Sequence, residues 1–557
     1  MRKKWICFLT ACTMVLSMGC ARTGPAESGT SVSASSNASS GTQASSSANN
    51  STTSSAGTSK ASQTASAVNS SVSSAVTDTP TPSPTAVPSK DIRFLHFSVE
   101  YQYLTGKDGE NFLYSGRYPS FSLSDEDASK YALLGTSLKN YSEALDAEMK
   151  STKDSLTAEA RAAYSGDDFS PYYYNAAIDF KRTDSVAASF LETRDSYTGG
   201  AHNDTEYTGR NFNTQTGGEM KLTDVIPDIS TLPDFLTGKL QEKYPDVPFT
   251  DLQKNIGDLC GKTDGSGLKW TLGYYDLTFY FSPSAIAPYA SGLLTVTIPF
   301  SQKPELFNPL YTTAPESCVI ALRQGETQYI YPDGSSTAVE MTVNLANDSE
   351  EDFGKRIITL GTDTFTFNED QSVYSVVPYF LHFSDGRNYL YLSCSGDNDY
   401  QSMEVYQIEG ENVSYVGNLG NAGAGEDGFI DPGNFSLSSR LDILSTYGGQ
   451  RRYHIANDGM PAADEDVYHL SEGLQLTSKA DVVGDILDGQ YQVAEKDVTV
   501  PSGTGFTLSR TDGETFADAI LSDGRLLRLY VDTGDGWPQT VNGQDIENLF
   551  DGLRFAG

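Results

Sequence analysis

From about Glu316 to the C-terminus the chain is punctuated by Asp-Gly pairs, at 333–334, 385–386, 458–459, 488–489, 512–513, 523–524 and 535–536. Each is a tight-turn signal, because Gly supplies the positive φ that hairpin turns demand and Asp bonds its own backbone within the turn. Between them lie short, mostly alternating runs: Gln328 to Tyr331, Val339 to Leu345, Thr364 to Phe367, Tyr389 to Ser393, Val405 to Ile408 and Leu526 to Val531. A chain that turns this often has little room for helices and pairs its strands antiparallel with near neighbours. Residues 308–557 are therefore expected to form an all-β antiparallel domain, whether a sandwich, a barrel or a partial propeller.

Upstream the pattern changes. Between Asp91 and about Phe307 strand and helix signals alternate. Phe94, Phe97, Val99, Tyr101 and Tyr103 begin as a mostly period-two strand. Ser124 followed by Asp125, Glu126 and Asp127 opens a helix, the hydroxyl capping free N–H groups and the acids complementing the helix dipole. Leu134, Leu138, Tyr141, Leu145 and Met149 then place one apolar stripe along it. Strands are expected over Tyr172 to Lys181, Val186 to Asp195, Tyr207 to Asn213, Trp270 to Phe281 and Leu293 to Phe300, with helices near Pro233 to Tyr244 and Asp251 to Leu259. Residues 91–307 thus read as an α/β domain, and the whole chain as α+β.

The N-terminal end is not part of either fold. Arg2, Lys3 and Lys4 precede the uncharged run Trp5 to Met18, which is followed by Gly19-Cys20. A positive start, a short apolar core and a small residue before the cut describe an export signal over residues 1–20. The arrangement resembles a bacterial lipoprotein signal, with Cys20 as the lipidated residue, although Ser17 stands where Leu is expected. Cleavage after Ala21 and free secretion is the alternative. Residues 21–90 contain no aromatic residue and are dominated by Ser, Thr, Ala and Asn, ending in Pro-rich sequence. Such a stretch cannot bury enough apolar surface to offset its ordering entropy, so it reads as a disordered linker. The expected location is the outer face of the cytoplasmic membrane, held by the lipid anchor only.

Charge narrows the partners. The formal charge is −35, distributed as +4 over residues 1–90, −12 over 91–310 and −27 beyond. Nucleic acid is excluded as a general partner, because binding it depends on Lys and Arg neutralising phosphates. In the folded part Cys260, Cys318 and Cys394 are too widely spaced for a disulfide framework or a zinc pattern, and leave room for at most one bridge.

Several runs carry a family resemblance: Ser196-Tyr197-Thr198-Gly199-Gly200-Ala201-His202, Asn211-Phe212-Asn213 to Thr216-Gly217, Leu222-Thr223-Asp224, and Leu277-Thr278-Phe279-Tyr280-Phe281 to Ile286-Ala287-Pro288-Tyr289-Ala290-Ser291-Gly292. Together they are similar to the extracellular domain family of the lysozyme-sensing anti-sigma factor RsiV, which in related form accompanies the peptidoglycan deacetylase PdaC. The resemblance implies an extracellular α/β domain that binds a lysozyme-type protein or peptidoglycan. It does not imply sigma-factor signalling, since only four residues precede the apolar core, nor deacetylation, whose metal pattern is missing from the sequence.

Tyr197, Thr198, Gly199, Gly200 and His202 are the candidate contacts, because adjacent glycines inside a strand pattern suggest a bulge where a partner can approach the backbone. His202, Asp204 and Glu206 alternate and would share one strand face as a metal or acid–base set, but a hydrogen-bonded His beside solvated acids is the preferred reading. No cofactor is expected. Calcium is the one ion the acids suggest, through Asp397-Asn398-Asp399, Asp464-Glu465-Asp466 and Asp532 with Asp535, none of which has a complete calcium-loop spacing. The function expected is that of a cell-surface lipoprotein binding a wall-associated ligand. The alternative is a cell-wall carbohydrate-active enzyme with a carboxylate pair in the β-rich region.

Overall fold

The computed structural model describes residues 94–105, 112–165, 169–261, 265–332, 338–346, 354–367, 373–396, 400–425, 431–470, 473–534 and 537–555. The export signal with Cys20, the 21–90 linker, Asp397-Asn398-Asp399, Asp535 and the Asp-Gly pairs at 333–334 and 535–536 lie outside these residues.

The first sheet contains β1 (Phe94–Thr105), β2 (Phe112–Leu123), β3 (Tyr172–Thr183), β4 (Ala187–Tyr197) and β5 (Asp204–Asn213), side by side in that order. All neighbours are antiparallel except β2 and β3, which are parallel. A parallel pair needs a crossover of a dozen or more residues. Helices α1 (Asp125–Lys130) and α2 (Ala132–Ala163) supply it. The Ser124 hydroxyl accepts the Asp127 N–H at 3.1 Å, so the helix begins where the cap signal puts it. Leu134 and Leu138 bury against Phe121, Phe190 and Phe212, and Leu145 and Met149 against Tyr114, Tyr118 and Tyr174. Strand β2 was not anticipated from sequence, where Pro119 and the polar Ser115-Gly116-Arg117 interrupt any period-two pattern.

The next elements are α3 (Leu222–Val225), α4 (Leu232–Lys243), α5 (Leu252–Cys260) and a three-stranded antiparallel sheet, β6 (Lys269–Leu272), β7 (Asp276–Phe281) and β8 (Leu294–Pro299). Leu236, Leu240 and Ile256 of the helices share one core with Leu272, Phe279, Val296 and Ile298. Strand β6 lies against the face of the first sheet opposite α2. Asn211 Nδ2 donates to the Trp270 carbonyl at 2.9 Å, and the Leu272 N–H donates to Ser189 Oγ at 2.9 Å. This approach is possible because residue 209 is glycine, since a Cβ there would lie 1.7 Å from the Trp270 oxygen.

From Cys318 onward the regular elements among the described residues are strands apart from one short helix, Ile546–Leu549, giving the α+β class with a β-rich C-terminal region. Strand β9 (Cys318–Ala321) is followed by a four-stranded sheet, β10 (Gln328–Ile330), β11 (Val339–Ala346), β12 (Lys355–Leu360) and β13 (Asp363–Phe367). Then come β14 (Val373–His382), β15 (Asn388–Gly396), β16 (Gln401–Glu409) and β17 (Asn412–Gly420), which take β9 as edge partner of β14. After the short β18 (Gly423–Ala424), β19 (Phe435–Ile443) and β20 (Ser445–Ile455) open a larger antiparallel sheet that runs on to the C-terminus. The sheets stack in layers, as in a sandwich. Strand β15 is buried from Asn388 to Cys394. Its Leu390, Leu392 and Cys394 face the β10–β13 sheet, and Tyr389 and Tyr391 face β19 and β20. Central position, not helix, explains its near-continuous apolar run.

The Asp-Gly turns form as their chemistry requires. Asp385, Asp458, Asp488, Asp512 and Asp523 each accept, through Oδ1, the N–H two residues on, at 2.8–3.1 Å. Gly386, Gly459, Gly513 and Gly524 have φ of 84–88°.

The two parts of the chain meet at buried charges. Arg182, on β3, and Asp184 are both fully buried, with Nε 2.7 Å from the carboxylate. The guanidinium also donates to the carbonyls of Tyr311 (2.6 Å), Thr313 (2.8 Å) and Gly273 (3.3 Å). Beside it Arg323 pairs with Asp179 at 3.2 Å, and the Tyr275 ring lies 4.5 Å from that of Tyr331. Cys260, Cys318 and Cys394 are buried thiols that form no disulfide. The bridge for which the sequence left room is absent among them: Cys260 ends α5, and Cys318 and Cys394 stand on β9 and β15, kept apart by β14, where they pair with His382 and Val376. Among the described residues no helix is long and apolar enough to cross a membrane.

Candidate functional site

The nominated residues Thr198, Gly199, Gly200 and His202 are exposed on the connection between β4 and β5, and half-buried Tyr197 ends β4. The two glycines therefore shape a hairpin loop, which corrects the expectation of a bulge within a strand. The sequence pattern misled because β4 and β5 are contiguous in composition, whereas their ladder ends at Ser196 and Asp204. Gly199 and Gly200 have φ of 90° and 115°, values that side chains with a Cβ rarely adopt. Nothing lies within 4 Å of the position a Gly200 Cβ would take, so the backbone there is open to a partner.

The loop is held from three sides. The Tyr197 hydroxyl donates across it to the Gly200 carbonyl at 3.1 Å, and its ring stacks on Tyr173 of β3 at 5.9 Å. At the far end Asn203 Nδ2 donates to Asp195 Oδ1 and to Thr205 Oγ1, and the Thr205 hydroxyl donates to the same carboxylate oxygen at 2.7 Å. The third support is Tyr289, from the loop between β7 and β8. Its hydroxyl lies 2.7 Å from the Asn203 carbonyl and 2.8 Å from Asn203 Oδ1, and its ring stacks on His202 with centroids 4.0 Å apart. Two of the runs that carried the family resemblance, far apart in sequence, thus meet in one surface. Tyr289 and Asn203 were not nominated from sequence; the run Ile286 to Gly292 was the available signal for Tyr289.

His202 Nδ1 lies 2.9 Å from the Asn203 carbonyl. A carbonyl only accepts, so Nδ1 carries the proton and Nε2 of the neutral ring is an acceptor. Burial, with a contribution from Asp195, pushes the Tyr173 hydroxyl up to about 12 and raises that of Tyr289 as well. Both phenols are neutral at physiological pH, and their O–H groups serve within the site, Tyr289 toward Asn203 and Tyr173 toward Asp195. The surface offers a stacked aromatic pair, an imidazole acceptor and an accessible Gly-Gly backbone.

The proposed face of His202, Asp204 and Glu206 does not form. His202 precedes β5 and lies flat on Tyr289, while Asp204 and Glu206 are exposed on the strand. Among the described residues no three His, Cys, Asp or Glu side chains are placed to hold a metal. Asp464 is 2.6 Å from His454, and Glu465 accepts from the Arg452 N–H at 3.0 Å and lies 3.0 Å from His469. In the β-rich region the buried carboxylates Glu404 and Asp518 are bound to Arg356 and to Arg510 with Arg528, and Asp485 to Tyr530 and the Asp497 N–H.

Residues 228–301, which include Tyr289, match the model of a family described as a protein of unknown function, DUF3298. The crystal structure of a DUF3298 family member from Bacteroides fragilis aligns at 17% identity with a TM-score of 0.29, covering 39% of this chain and 95% of that one. One from Pseudomonas aeruginosa aligns at 16% identity with a TM-score of 0.28, covering 40% and 97%. No curated protein matches the chain.

Proposed function

We propose that this chain is an exported cell-surface lipoprotein, anchored through Cys20, whose 198–203 loop and Tyr289 form the contact surface for a wall-associated ligand, a lysozyme-type protein or peptidoglycan. The observation that carries the reading is the convergence of the two resembling runs, Tyr289 on His202 and Asn203, at an exposed loop with an open glycine backbone. The formal charge of −35 favours a cationic lysozyme-type protein, since opposite charge steers encounter.

Titration of residues 21–557 with a cationic lysozyme at low and at physiological salt tests this, with a peptidoglycan pull-down alongside. Binding should weaken as salt rises. His202→Ala and Tyr289→Ala should each weaken it about tenfold, as truncating an aromatic contact at an interface costs on the order of 1–2 kcal/mol. Retention of neither bait at low ionic strength, or binding by both variants as tight as by wild type, means the surface does not serve this function.

A further inference from the structure

A cavity of about 590 Å³ opens in the β-rich region, lined by His382, Phe383, Asp385, Arg387, Gln407 and Glu409 among others. That volume falls within the roughly 300–1,000 Å³ of small-molecule sites. The cavity lies between the β14–β15 turn and the end of β16, and its inner wall is built around Asn388, which is 2% exposed. The amide nitrogen of Asn388 donates to the carbonyls of Pro332 and Gly386. Carbonyls cannot donate, so these two bonds fix which end of the amide is nitrogen and aim Oδ1 at His382, 2.7 Å from Nδ1. That oxygen only accepts, so Nδ1 carries the imidazole proton and Nε2 of the neutral ring keeps its lone pair.

The charged groups on the wall are already engaged. Arg387 donates through Nε to Asp385 at 2.8 Å and through Nη1 to the Asn457 carbonyl at 3.0 Å, and it lies 5.3 Å from the Phe383 ring centroid. Gln407 Nε2 donates to Glu409 Oε1 at 2.8 Å. Acceptors remain at Nε2 of His382, Oε2 of Glu409 and Oε1 of Gln407, and the two Arg387 bonds use only two of its five N–H groups. A ligand that matches must bring several donors and can also accept. Arg387 is balanced by Asp385, and the acceptors, Glu409 among them, disfavour an anion.

We propose that this cavity binds a neutral, hydroxyl-rich ring, a sugar residue, with His382 Nε2 accepting from one hydroxyl and Gln407 and Glu409 from others. Phe383, with Arg387 stacked on it, is the flat wall beside the sugar's C–H face. Asn388 is a positioning residue: it holds the imidazole in the tautomer that can accept. This site is separate from the 198–203 loop and does not depend on what that loop binds.

The test is histidine-selective NMR of residues 21–557, with chitotriose and cellobiose as probes and the signal assigned through His382→Phe. Wild-type protein should show the Nδ1–H tautomer at His382 and a saturable shift of that ring with one of the two sugars. Calorimetry should find His382→Phe about tenfold weaker, the fold-change that corresponds to about 1.4 kcal/mol. Tyr289→Ala should leave the shift unchanged, which separates this site from the loop. An Nε2–H tautomer at His382, no saturable shift with either sugar, or equal affinity in His382→Phe overturns the proposal.

Discussion

Replacing Arg182 by Met would leave the Asp184 carboxylate buried with its cation gone. Both side chains are fully buried, and Asp184 Oδ1 would keep the Val186 and Ala187 N–H groups at 2.8 and 2.9 Å while Oδ2 lost the Arg182 Nε–H. Breaking a buried pair from one side costs about 3–5 kcal/mol. The carbonyls of Tyr311 and Thr313 would lose their donors too, a loss of about 1–3 kcal/mol for each one left unsatisfied. These costs overlap, because the freed segment can turn its carbonyls to water, so we expect a net loss of about 4 kcal/mol. With a urea slope of about 3 kcal/mol/M, the unfolding midpoint should fall by about 1.3 M. The companion Arg182→Met with Asp184→Asn should recover part of that, since the stranded charge is what costs most. A midpoint shift below about 0.3 M, or equal losses in the single and double variants, would refute this account of the junction.

Asp276 should make stability fall as pH rises. Burial raises its carboxyl to about 6, against the favourable charge of Lys181. The folded state therefore holds a proton that the unfolded state releases near 4, and stability from this group is full below pH 4 and lost between about pH 4 and 6. The full shift corresponds to about 3 kcal/mol; part of the side chain remains in solvent, so about 1–2 kcal/mol is expected. Asp276→Asn should accordingly gain that amount over wild type at pH 7.5 and little at pH 4, and equal urea midpoints at pH 7.5 contradict it. Gly209→Ala must push β6 away from the first sheet and should cost at least about 3 kcal/mol. Gly200→Ala meets open space and carries only backbone strain, about 1–2 kcal/mol; similar losses in thermal melts of the two variants would show that the Trp270 contact is not what requires glycine at 209.

Local chemistry was legible in the sequence, and long-range chemistry was not. The Ser124 cap and the α2 stripe are fixed by residues within one or two turns of each other, and the Asp-Gly turns by a carboxylate and an N–H two residues apart. Strand β2 escaped notice although β1 pairs with it from close by in sequence, because Pro119 and the polar Ser115-Gly116-Arg117 hide its period; its second partner, β3, lies across a 32-residue helix. Arg182 reads as a surface residue until Tyr311 and Thr313 close over it. Tyr289 and His202 could be connected only by resemblance, because no local rule brings them together.

His382 and Asn388 lie between these cases. The Asp385-Gly386 turn was legible, and a turn of that kind sets the register that places His382 opposite Asn388. Their contact could therefore have been derived from sequence. The chemistry of that contact could not, because the orientation of the Asn388 amide is fixed partly by the carbonyl of Pro332, 56 residues earlier. If that carbonyl were turned away, the amide could flip, and the imidazole proton would no longer be confined to Nδ1. Turn chemistry builds the pair, but a backbone group from another layer of the fold decides whether His382 presents an acceptor to the cavity.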